Sequence, residues 1–161
     1  MGIVHPHLWY ADNALEAAEF YVSVFPNSRI TNVIHAPADM PGVAKGAAFI
    51  VQYELDGQRV EAISAGPYFQ LTEAFSFVVE CADQAEVDHY WDALLAGGGQ
   101  ESQCGWLKDR FGLSWQVVPQ RLMELTLSPD ADPEGAARAT QVMLTQHKIE
   151  IAPIEAAYRG E

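Results

Sequence analysis

The chain has 161 residues, enough for one domain with a sizeable core or two small modules, and its composition, 49% hydrophobic and 19% charged, excludes a disordered protein. Nine Lys and Arg against 22 Asp and Glu give a formal charge of −13, which repels phosphate backbones and anionic surfaces, so we expect neither a nucleic-acid nor a membrane partner. No run approaches the roughly 20 apolar residues of a membrane span, and the first residues lack a basic region followed by an apolar signal core, which predicts a cytoplasmic protein.

Residues 1–66 predict one βαβββ module. The segment "DNALEAAEFYVSVF", which ends before Pro26, has apolar residues at helical spacing and predicts a helix. Asn13 is the candidate cap of this helix, with Glu16 three residues later. The predicted strands are 3–11, 28–36, 45–55 and 59–64, with a turn at 56–58.

The same order of elements then starts again, at an offset of 70 residues between the two helix starts, which indicates an internal repeat over residues 67–119. Asp83 is the candidate cap of the second helix, with Glu86 three residues later, and Gly97–Gly99 ends it. The predicted strands are 74–81, 100–107 and 113–118, with a turn at 109–112.

Residues 120–161 predict a helical C-terminal extension, since Pro133 suits the first turn of a helix and polar breaks separate the apolar segments. The predicted fold class is therefore α+β: two tandem βαβββ modules with curved sheets around a cavity, and a helical tail, all in one compact domain. Cys81 and Cys104 form no CxxC pair and are expected to be free thiols.

Four segments together resemble a known family. They are "PHLWYADNALEAAEFYVSVFPNS", "DGQRVEAISAGP", "FVVECADQAEVDHYWDALLAGG" and "QCGWLKDRFGLSWQVVP". Each is similar to the PhnB-like branch of the vicinal oxygen chelate (glyoxalase and bleomycin-resistance) superfamily, historically labelled a 3-demethylubiquinone-9 3-methyltransferase domain. The resemblance implies paired modules, a homodimer and a small-molecule ligand. It also implies up to four ligands for one divalent metal ion, from the first and last strands of the modules.

Carried onto this chain, the metal ligands of the resembling family fall on His5, Glu61, Ser76 and Gln116. A Ser hydroxyl is a poor ligand, whereas imidazole and carboxylate suit Zn, Ni, Mn or Fe. His7 has the strand parity of His5 and can replace the missing imidazole. The expected ligands are thus His5, His7, Glu61 and Gln116; in the alternative, the His side chains are partly exposed, Glu61 is solvated and no metal binds.

Glu61 has a second candidate role, as a general acid or base. If it points into an apolar cavity without a cation, desolvation raises its pKa toward the range useful for proton transfer. The expected cavity lining is Trp9, Ser76, Trp106 and Trp115, although strand aromatics are more often core residues.

Three functions follow as hypotheses. The first is a metal-assisted enzyme acting on a substrate with vicinal oxygens; the second is a metal-free binding or sequestering protein of the resistance type; the third is an interaction role. A methyltransferase that uses S-adenosylmethionine is not expected, because Gly97–Gly99 follows a helix instead of opening one from a strand.

Overall fold

A computed structural model describes residues 2–161 and divides the chain into two compact units. The first extends to Thr72 and the second runs from Glu73 to Glu161. The division therefore falls a few residues after the predicted boundary at residue 66, and the helical tail belongs to the second unit. Within the described residues, no helix is long and apolar enough to cross a membrane.

The first unit is a four-stranded mixed sheet with one helix, in the strand order β1-β4-β3-β2. Strand β1 runs parallel to β4, and the other neighbours are antiparallel. The elements are β1 (His7–Tyr10), α1 (Ala14–Val24), β2 (Arg29–His35), β3 (Ala48–Leu55) and β4 (Gln58–Ser64).

Helix α1 covers one face of this sheet because its small residues allow close packing. Ala14, Ala17, Ala18 and Tyr21 are fully buried. The hydroxyl groups of Tyr21 and Tyr10 lie 3.1 Å apart, and the Tyr21 and Tyr53 rings are 6.5 Å apart. Alternate residues of β1, β3 and β4 therefore point toward α1 and form the core, and the residues between them point to the opposite face.

The second unit repeats the first, with the strand order β5-β8-β7-β6 and a parallel β5–β8 pair. Its elements are β5 (Ser76–Cys81), α2 (Gln84–Leu95), β6 (Gln100–Glu101), β7 (Trp106–Lys108), β8 (Ser114–Pro119), α3 (Gln120–Thr126), α4 (Pro133–Met143) and α5 (Ile151–Arg159). The predicted α+β class with two βαβββ modules and a helical tail is confirmed.

The predicted strand 100–107 is interrupted. Cys104 and Gly105 both have positive φ, +57° and +84°, and separate β6 from β7. A Cβ atom on Gly105 would lie 2.9 Å from the carbonyl oxygen of Val117, so only glycine fits this turn.

The two helix starts differ in how they are capped. Asp83 accepts a hydrogen bond from the Glu86 amide and Glu86 accepts one from Ala82, as predicted. Asn13, in contrast, makes no side-chain capping bond within the described chain, and the Ser64 hydroxyl accepts the hydrogen bond of the Ala14 amide instead. The predicted Asn13 side-chain cap is wrong, and the amide that Ser64 binds is the first of the helix, whereas a capping side chain at position 13 would accept from the second or third.

The tail packs into the second unit. Leu122, Leu125, Ala139, Ile149 and Ile154 form a buried apolar cluster. Gln84 at the start of α2 connects the tail to the module: its side chain donates to the Ile149 carbonyl and accepts from the Ile151 amide.

Candidate functional site

The face of the first sheet opposite α1 carries three parallel rows of side chains, set by the strand register. Each row crosses neighbouring strands at directly paired positions. A charged row contains Arg59, Glu54 and Arg29; a polar row contains His7, Glu61, Gln52 and Asn32; and an apolar row contains Trp9, Ile63, Ile50 and Ile34. We call this surface the three-row face.

Glu61 is the centre of the polar row, and its carboxylate oxygens are in different environments. Oε1 accepts hydrogen bonds from Gln52 at 2.8 Å and Arg59 at 2.7 Å, and the His5 Nε2 lies 3.3 Å away. Oε2 has no hydrogen bond from any described residue, and His7 Nε2 lies 3.9 Å from it. The carboxylate is thus anchored through one oxygen, and the other oxygen keeps its acceptor capacity.

The neighbours of Glu61 reverse the effect of its burial. Desolvation raises the pKa of this carboxyl, but the hydrogen bonds from Gln52, Arg59 and His5 outweigh it and lower the pKa below the ordinary value of 4.5. The condition for a raised pKa, an apolar cavity without a cation, is not met because Arg59 lies against Oε1. These neighbours favour the ionised form of Glu61, and the raised pKa expected of a general acid is not found.

The residues at Glu61 do not fit a divalent metal ion as they are arranged. Among residues 2–161, no group of three or more His, Cys, Asp or Glu side chains is placed to hold one. His5, His7 and Glu61 do come together, but the guanidinium of Arg59 already neutralises the carboxylate. Gln116, the fourth expected ligand, donates its amide to the Ser76 hydroxyl at 2.9 Å in the second unit.

The apolar row continues onto an aromatic pair. Trp9 and Phe69 meet edge to face with their ring centroids 4.9 Å apart, and the Trp9 indole donates to the Gly66 carbonyl. Phe69 is 66% exposed. This hydrogen bond fixes the indole next to the polar row, so Trp9 presents an apolar surface two residues along the strand from His7.

Arg59, Gln52 and Asn32 are the site residues that the sequence analysis missed. Arg59 has the strand parity of Glu61, and parity alone places both on one face. Gln52 is identified by the turn: Asp56 and Gly57 both have positive φ and form a two-residue hairpin loop that pairs position 52 with 61. Asn32, whose amide is 3.3 Å from that of Gln52, has no comparable signal because β2 and β3 are joined by a long loop.

The second unit places three of the expected residues together on its own sheet. Trp106 is paired directly with Gln116, and Gln116 donates to Ser76. Val78 occupies the position on the first strand of this unit that His7 occupies in the first unit. This group has an amide, a hydroxyl and apolar surface but no ionisable side chain.

Trp115 is a core residue, which corrects its expected place in a cavity lining. It is 2% exposed, and its ring lies 5.3 Å from that of Phe77. Its indole donates to the buried carboxylate of Asp109, which also accepts from the Phe111 and Leu113 amides. Trp106 and Trp115 lie on opposite faces because Trp115 pairs with Leu107 and not with Trp106.

The two cysteines differ in burial: Cys81 is buried and Cys104 is partly exposed. Both are free thiols, as expected. Burial, together with the negative charges of Glu86 and Asp83, raises the pKa of the Cys81 thiol to about 12, so it is not a nucleophile at neutral pH.

A cleft of about 500 Å³ lies at the start of α1. Its lining is Asp12, Asn13, Leu15, Glu16, Glu19, Ala47, Ala48 and Ser64. None of the expected site residues lines this cleft, and Ser64 already binds the Ala14 amide. The cleft therefore carries no assigned chemistry.

Comparisons with known proteins agree with this architecture. The family model described as 3-demethylubiquinone-9 3-methyltransferase matches residues 3–118. The PhnB protein of Bacillus cereus is 27% identical, with a TM-score of 0.66 over 73% of this chain and 99% of its own. The fosfomycin resistance protein FosX of Listeria monocytogenes is 17% identical, with a TM-score of 0.53 over 76% and 94% of the two chains, a likeness of fold alone. No curated protein matches the chain significantly.

Proposed function

Since the chain belongs to the 3-demethylubiquinone-9 3-methyltransferase family, within the glyoxalase-like fold, we propose that it binds a small molecule on the three-row face. The observation that carries the proposal is the polar row beside the apolar row, with Glu61 Oε2 free to accept a hydrogen bond. Ligand sites combine apolar walls with a few placed polar groups in this way.

The chemistry of the face supports one ligand class. Glu61 and Arg59 together are neutral, so an ionic ligand gains no net attraction from the pair. A neutral molecule with an apolar ring system and one hydroxyl or N–H group can rest on Trp9 and donate to Oε2. A hydrogen bond to a charged acceptor contributes about 1.5–3 kcal/mol.

We propose ligand binding and not methyl transfer, despite the historical family label. Gly97 and Gly98 adopt positive φ directly after α2, which supports their role as a helix stop.

Nile red, a neutral apolar dye, tests the location of the site. We expect saturable fluorescence enhancement with the unmodified chain and about tenfold weaker binding by Trp9→Ala, because loss of an aromatic contact costs ~1.4 kcal/mol. Leu144→Ala, which removes an exposed apolar side chain from the end of α4, is the matched control and leaves binding unchanged. Equal affinities for the unmodified chain and Trp9→Ala would place the site elsewhere.

A second pair of probes tests the polar row. 1-Naphthol is expected to displace Nile red more effectively than naphthalene, because only its hydroxyl donates to Oε2. The preference shrinks in Glu61→Gln, whose neutral amide is a weaker acceptor. The preference of the unmodified chain for 1-naphthol persists in chelator, whereas a metal-dependent site would lose it.

A further inference from the structure

We infer that the guanidinium of Arg59 takes the place of a divalent metal ion beside Glu61. Removing Arg59 is therefore expected to convert the three-row face into a metal site. The inference rests on the proposed function only for the location of the site.

The first step concerns the carboxylate. Oε1 faces Gln52 and Arg59 at 2.8 and 2.7 Å, with His5 Nε2 at 3.3 Å. A metal ion bound at this oxygen would have to displace these donors. Binding at Oε2 would leave the ion close to the guanidinium, whose positive charge repels it.

The second step concerns the remaining ligands. His5 and His7 approach opposite oxygens of Glu61 through Nε2, at 3.3 and 3.9 Å. The Nδ1 atom of His5 is buried without a hydrogen-bond partner among residues 2–161. A metal-ligating His usually donates its other ring nitrogen to an acceptor that orients it, and His5 has no such acceptor. The donor types themselves, two imidazoles and a carboxylate, nevertheless suit Zn²⁺ or Ni²⁺.

The third step separates this role from ordinary surface pairing. Arg59 lies between two acidic side chains in the strand register, since it pairs with Glu54 and shares a face with Glu61. Its side chain is bonded to Glu61, while Glu54 has its own partner in Arg29, at 3.2 Å. Arg59 thus binds the polar row through Glu61, whereas Arg29 binds Glu54 and is a matched control on the same face.

The experiment is a titration of chelator-treated protein with Zn²⁺ or Ni²⁺ alone, followed by calorimetry and, for Ni²⁺, by its visible absorption. The unmodified chain is expected to show no site that depends on Glu61. Arg59→Gln is expected to bind the metal ion at least about tenfold more tightly than the unmodified chain does, because one positive charge that repels the ion is removed. Arg29→Gln should behave as the unmodified chain, and Arg59→Lys, which keeps the charge, should too.

The double variant Arg59→Gln with Glu61→Gln should lose the tighter metal binding if the new site includes Glu61. Adventitious binding by surface His side chains would persist in the double variant. A Glu61-dependent metal site in the unmodified chain overturns the inference, and so does the absence of a gain in Arg59→Gln. Melting curves confirm folding; if Arg59→Gln is unfolded, Arg59→Met, which keeps the aliphatic length, is measured instead. Because no organic ligand is used, failure of the Nile red experiment and failure of this one are independent.

Discussion

Glu61 shows at the scale of one residue how neighbours decide the chemistry of a carboxyl group. Its side chain is only 14% exposed, and burial by itself would favour the protonated form. Gln52, Arg59 and His5 supply hydrogen bonds that favour the ionised form more strongly. The three neighbours together, and not burial, thus make Glu61 an anchored acceptor.

The lowered pKa of Glu61 predicts a specific dependence of stability on pH. Ionisation of this carboxyl stabilises the fold fully above the ordinary pKa of 4.5, and that stabilisation is lost as the pH falls through the lowered value. Glu61→Gln should therefore melt lower than the unmodified chain at neutral pH but lose less of its melting temperature between about pH 6 and about pH 3. Glu16→Gln, at an exposed acid on α1, is the control and should follow the unmodified chain. Parallel pH profiles for all three proteins would contradict this assignment.

At the scale of the elements, the two helices have similar sequences at their starts and different capping partners. Both begin after an Asn or Asp with Glu three residues later, a pattern that predicts the same capping box. Asp83 forms it, whereas the Ala14 amide is bound by Ser64 from the last strand of the sheet. The sequence pattern alone therefore does not decide whether the capping bond forms, and it gives no sign of the Ser64–Ala14 contact, which comes from a distant strand.

This difference predicts unequal effects of matching substitutions. Asp83→Ala should lower the free energy of unfolding by about 1 kcal/mol, as for loss of a helix cap, and Ser64→Ala should cost a similar ~1 kcal/mol. Asn13→Ala should change it by less than about 0.5 kcal/mol, because no capping bond is removed. Urea denaturation of the three variants measures all of these values. A cost for Asn13→Ala equal to that for Asp83→Ala would show that Asn13 does cap α1.

At the scale of the whole molecule, the helical tail is part of the second unit. The backbone amides of Cys104 and Gly105 donate to the carbonyls of Gln146 and His147, and Gly105 in turn accepts from Val117 on β8. Ile149 is fully buried in the cluster that the tail helices share. Residues that follow the repeated module by some 30 positions thus complete its core.

Ile149→Ala tests whether the tail and the sheet unfold together. A cavity at a fully buried Ile should lower the free energy of unfolding by about 2–5 kcal/mol. Hydrogen exchange should show faster exchange of the Val117 amide as well as of the tail, because both belong to one cooperative unit. Leu144→Ala, at an exposed position of the same tail, should stay within about 0.5 kcal/mol of the unmodified chain. Normal protection of β8 in Ile149→Ala would instead indicate that the tail unfolds separately.

The amino-acid sequence by itself determined the order of elements, the repeat of βαβββ and the presence of Glu61 and the two His side chains at one end of the first module. Hydrophobic alternation and turn residues are local signals, so one chain is enough to read them. Even the pairing of Gln52 with Glu61 was accessible from the two-residue Asp56–Gly57 loop.

Only the tertiary structure decided which groups contact the carboxylate and which tryptophan is buried. Arg59 and Gln52 reach Glu61 Oε1 from the same strand and from its neighbour, while Trp115 turns inward to Asp109. These outcomes depend on register across strands and on the directions of long side chains, and a shift of one residue would move every side chain to the other face. For that reason, the carboxylate of Glu61 at the candidate metal site is paired with the guanidinium of Arg59.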